Sequence, residues 1–118
     1  MLHARMIVLA AAAVLCGAHG AQALVCPMPQ SVAKPGVIAE PESAIVALSP
    51  MLRAGDAVQR APEIVAAVRK RFPAAKPEEL VNFLVTAYCP VANERQSSEA
   101  EKQALVNAFA AAVTEQLY

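Results

Sequence analysis

Histidine occurs only at positions 3 and 19, and tryptophan is missing altogether. A chain with no imidazole beyond residue 19 has no Ser-His or Cys-His nucleophile, no His-ligated haem and no His-ligated zinc in its body. Aromatic residues make up only 4% of the sequence, which leaves little for a sugar or a base to stack on. Ten basic residues balance ten acidic ones, so there is no electrostatic footprint for nucleic acid. The four glycines form no phosphate loop, and neither Gly-x-Ser-x-Gly nor Cys-x-x-Cys occurs. No segment alternates with period two, so no sheet is expected. These absences point away from an enzyme and away from a cofactor.

What is present begins with the first 23 residues. A short start carrying Arg5 precedes an apolar run over residues 6–16, shorter than the ~20 needed to span a bilayer. Ala21-Gln22-Ala23 supplies the small-x-small pattern of a signal peptidase site. The pattern predicts a cleavable export signal over 1–23, with the cut after Ala23 and a periplasmic or secreted product. The alternatives are an uncleaved anchor, which the short run disfavours, and a lipoprotein, which Leu15 before Cys16 disfavours. Much of the mean hydropathy of +0.40 resides in this leader. Its removal takes Arg5, both histidines and Cys16, leaving nine bases, ten acids and a net charge of −1. No transmembrane segment is expected after that cut.

Cys26 and Cys89 are then the two cysteines left. An even pair in an exported chain reads first as a disulfide, and the chain-entropy model assigns such a loop about 4 kcal/mol. Each is followed by proline, at Pro27 and Pro90, which stiffens the local backbone. Two other readings stay open: a free or intermolecular thiol, and a soft Cu(I) site at Cys26-Pro27-Met28.

Residues 24–41 form a proline-rich arm, with Pro27, Pro29, Pro35 and Pro41 forbidding a helix. Residues 42–118 read as the folded domain. Its first part predicts two short helical pieces, 42–48 and 50–59, meeting near Pro50. A clearer helix begins at Pro62 and buries Ile64, Val65, Val68 and Phe72 on one stripe. Another starts at Pro77, with Glu78 and Glu79 in its first turn, and Pro90 is expected to end it. Its apolar arc covers more than half of the wheel, which marks it as the central helix, with Glu78, Asn82 and Thr86 as its wet strip. Ser98 and Glu101 have the spacing of a capping box. The last helix carries a stripe of Leu105, Val106, Phe109, Val113 and Leu117. The fold class expected is all-α: a small orthogonal or bundle-like domain of three to five helices.

Candidate contact residues are few. Arg69, Lys70 and Arg71 could meet an anionic partner or a membrane surface, although three charges at a helix C-terminus also suit the dipole. Asn82, Thr86 and Tyr88 could line a small pocket, or simply form a polar face with a snorkelling tyrosine. Glu78 and Glu79 are adjacent and point apart, so they read as dipole partners and not as an acid/base pair. Glu99 and Glu101 read as capping residues.

The segment Leu-Val-Asn-Phe-Leu-Val-Thr-Ala-Tyr-Cys-Pro-Val-Ala over 80–92, with the following helix through Glu101-Lys102-Gln103-Ala104 to Tyr118, resembles small exported helical proteins of alphaproteobacteria that have no assigned activity. The resemblance covers residues 60–118. It implies an envelope protein with a conventional disulfide and says nothing of activity. The expected role is therefore contact with another envelope protein or self-association. Binding of a small ligand or lipid is the alternative.

Overall fold

The described residues form four helices. They are α1 (Glu42–Arg53), α2 (Ala61–Arg71), α3 (Pro77–Asn93) and α4 (Glu99–Leu117). The computed structural model describes residues 23–28, 36–38 and 42–118, and among these there is no strand. All of the leader but Ala23, and with it the expected signal, lies outside the described residues, as does most of the arm.

In α1, Ala44, Leu48 and Leu52 recur every fourth position and are all buried. The helix does not divide at Pro50, which corrects the expectation of two pieces. Pro50 cannot donate to the carbonyl of Val46, but both residues face solvent, where water can take that carbonyl. The real stop is Gly55, whose φ of +90° reverses the chain just past the helix end. Residues 54–60 are accordingly turns, closed by the Arg60 N–H donating to the Asp56 carbonyl at 3.0 Å.

Helix α2 has proline in its first turn, Glu63 beside it and Arg69, Lys70 and Arg71 in its last turn, each matched to the dipole. Ala61, Ile64, Val65 and Val68 are buried. Phe72, just past the end, is half-buried and tilts against Phe83 at a ring separation of 5.1 Å.

Helix α3 touches each of the other three, as its wide apolar arc requires. At its start, Glu79 Oε1 accepts from the Lys76 N–H at 2.9 Å. At its other end it continues past Pro90 to Asn93, against the expectation that the proline would terminate it. Pro90 itself is exposed, while Val91 and Ala92 are buried, so core packing holds the extra turn. The expected wet strip is also shorter than its spacing suggests. Glu78 is exposed and Asn82 half-buried, but Thr86 is buried, one turn from Cys89 on the same face.

Helix α4 starts at Ser98, whose Oγ accepts from the Glu101 N–H at 3.1 Å. Only this half of the expected capping box forms. Val106, Phe109, Val113 and Leu117 carry its buried stripe, with Leu105 partly covered. Phe109 lies against Tyr88 with ring centroids 4.2 Å apart.

The arm is tied to this bundle at one covalent point. Cys26 and Cys89 form a disulfide with their Cα atoms 5.5 Å apart. That pairing consumes the sulfur which the Cu(I) and free-thiol readings needed.

Candidate contact surface

The residues singled out from the sequence fall in three separate places. Arg69, Lys70 and Arg71 are exposed at the end of α2. Asn82 lies half-buried on the outer side of α3. Thr86 and Tyr88 are inside the core, at 5% and 1% exposure, which removes them from any surface patch. The correction for Tyr88 has a simple cause. Its ring is too large an apolar area to leave in water when Phe109 is available to cover it. Burial pushes its phenol above the usual tyrosine range, with Arg95 working against the shift.

Around Asn82 the surface is more organised. Val81 and Val85 stand on α3 at four-residue spacing, both half-buried, with Glu78 and Asn82 beside them. Thr114 and Tyr118 close the far side from α4. Together they bound an open groove of about 440 Å³. Tyr118 is 78% exposed, so a large amphipathic ring stands at the groove's edge with little of its area covered. The Thr114 hydroxyl donates to the Ala110 carbonyl at 2.7 Å and keeps its lone pairs as acceptors. Asn82 adds an amide with donors and an acceptor. The groove thus offers an apolar bed with a few polar fixing points. Sequence reasoning missed Tyr118 and Thr114 as members. The available signal was a lone aromatic immediately after the last buried leucine of the α4 stripe.

A second hollow, of about 420 Å³, lies where arm residues Val37 and Ile38 meet Phe72, Pro73 and Ala75. Arg71 and Glu79 stand at its rim. Of the three basic residues ending α2, only Arg71 takes part. A third, polar hollow of about 670 Å³ follows the turn between α3 and α4 and includes Arg95, Ser97 and Lys102.

Two ion pairs, Arg53–Glu94 and Lys102–Glu99, stand at the polar hollow, with Glu94 and Lys102 in its lining. Arg53, at the end of α1, grips Glu94 at the end of α3 through both guanidinium amines, one of them at 3.1 Å. The hydrogen bond from Arg53 draws the Glu94 carboxyl below its usual range. Glu99 is lowered as well, first by the Leu24 backbone N–H and then by Lys102. Among the described residues no three acidic, cysteine or histidine side chains gather where a metal ion could sit. Nor is any helix among them long and apolar enough to cross a membrane. Searches of family models, curated proteins and solved structures found no match to this chain.

Proposed function

We propose that this is an exported, non-enzymatic helical domain that acts by macromolecular contact, with the α3–α4 groove as its contact face. One observation carries this reading: Tyr118 is 78% exposed beside half-buried Val81 and Val85. Tyrosine is enriched at interface cores because it brings large contact area at low conformational cost, and a partner can complete its burial. The partner is another envelope protein or a second copy of the chain, met after the leader is cut at Ala23. The resemblance to small exported helical proteins of alphaproteobacteria agrees with this setting.

Photocrosslinkers placed singly at positions 82 and 118, in the oxidised protein in its own compartment, test the assignment. Adducts should form from both positions and not from exposed position 47 on α1. Equal adduct formation at all three, or none at 82 and 118 together with a monomer in sedimentation, would overturn it.

A second reading rests on the hollow beside the arm. Its apolar walls at Ile38 and Phe72 and the guanidinium of Arg71 at the rim suit an amphiphile with an acidic head. Native mass spectrometry after gentle purification should then show a bound lipid or fatty acid. Its loss in the Arg71→Glu variant would place it there, and a consistently ligand-free protein would remove this reading.

A further inference from the structure

Leu24 is the first residue after the expected cut, and its backbone N–H donates to Glu99 Oε2 at 2.9 Å. Oε1 of the same carboxylate takes the Lys102 ammonium at 3.1 Å. Glu99 opens α4, and its side chain is 33% exposed while that of Lys102 is 12% exposed. Leu24 packs against the core, and Cys26, two residues on, is bonded to Cys89 of α3. The start of the arm is therefore fixed both at its backbone and through a side chain.

Hydrolysis of the Ala23–Leu24 peptide bond adds one water. The carboxylate departs with Ala23, and the amine left on Leu24 takes up a proton. The neutral donor facing Glu99 thereby becomes a cation with three donors. The geometry points to Glu99 as the receptor of the new N-terminus: cleavage after Ala23 turns the Leu24–Glu99 hydrogen bond into an ion pair that fastens the arm to α4. The inference uses the export reading only for the position of the cut, and is independent of the contact face.

The opposing forces are identifiable. Lys102 and the positive end of the α4 dipole both repel an ammonium at this place. Lys102 already has its own carboxylate oxygen, whereas the amine meets the other oxygen directly, so the contact attraction prevails. From α3 the bridge contributes Cys89, which carries no charge when paired. The match is also position-specific. A cut one residue away would displace the amine by roughly 3.3 Å, beyond direct contact with Glu99.

The pair implies a pH window. An α-amine held by a carboxylate titrates above its ordinary value of about 7.7–8.0. Its stabilising effect is complete below the unfolded value and is lost as pH rises through the folded one.

Two measurements on the oxidised protein test this. The intact mass of the chain recovered after export should equal Leu24–Tyr118 less the two hydrogens of the disulfide. In the purified Leu24 chain, acetylation of the α-amine at neutral pH should be about tenfold slower than in Glu99→Gln. A chain that retains Ala23 keeps Glu99 but moves the amine, and it should react at the fast rate, which guards against a variant that fails to fold. A different first residue in the recovered protein would overturn the assigned cut. Equal acetylation rates in the Leu24 and Ala23 chains would overturn the ion pair whatever the mass shows.

Discussion

Cys26 and Cys89 stand 5.5 Å apart at their Cα atoms although 63 positions of sequence separate them. Cys89 is buried in the central helix, so the bridge joins the arm to the middle of the core and not to its rim. Replacing both by serine should lower stability by about 4 kcal/mol, since a loop of that length is costly to close in the unfolded chain. Urea denaturation of the oxidised protein and of the double variant reads the difference. A loss below about 1 kcal/mol would mean that the unfolded chain gains little freedom from losing the bridge.

Phe109 lies within α4 and Tyr118 just past its end, and the two should respond in opposite ways. Phe109 is fully buried against Tyr88, and Phe109→Ala should cost about 3–5 kcal/mol through lost burial and the cavity left behind. Tyr118 is mostly exposed, and Tyr118→Ala should stay within about 0.5 kcal/mol of the parent while abolishing the contact proposed for the groove. Thermal melts paired with crosslinking yields separate the two effects.

Gly55 isolates backbone conformation from crowding. A Cβ added there would meet nothing within 4 Å, yet φ is +90°. Gly55→Ala should therefore destabilise by about 1 kcal/mol through the left-handed backbone alone. Gly55→Asn should cost less, because asparagine tolerates that region better. Chemical denaturation of the two variants gives the ranking, and a neutral alanine would show that α1 can end without this reversal.

Acid should weaken the fold through two carboxylates. Glu94 and Glu99 are both held below their ordinary range, the first by Arg53 and the second by the Leu24 N–H and Lys102. Groups with depressed folded values contribute stability above the unfolded value, about 4.3 for glutamate, and lose it as pH falls through the folded one. Urea midpoints should consequently drop between neutral pH and pH 3. The Glu94→Gln/Glu99→Gln variant should show a flatter profile, and an unchanged slope would assign the acid response to other groups.

Much of the bundle was legible because its punctuation is local. Pro62, Pro77 and Ser98 sit at or beside helix starts, and the apolar spacing of Ile64, Val68, Phe109 and Val113 gave the buried stripes. The prolines at 50 and 90 misled for a tertiary reason. Their cost depends on whether the freed carbonyl meets water and on what packs beyond it, and neither is written locally. Thr86 and Tyr88 misled because their side chains are part apolar, so neighbours decide which part prevails. The groove sets Val81 and Val85, on α3, beside Thr114 and Tyr118 at the far end of the chain, and the Leu24–Glu99 contact spans 75 positions. Periodicity carries no information at that range.

The place of α3 has a consequence for how the molecule comes apart. Every other helix leans on it, and the sulfur link ends on it, so its departure would leave α2 and α4 packed only on each other and α1 without its main support. Melting should be cooperative, with Tyr88 in the interior and Tyr118 on the outside reporting a single shared midpoint.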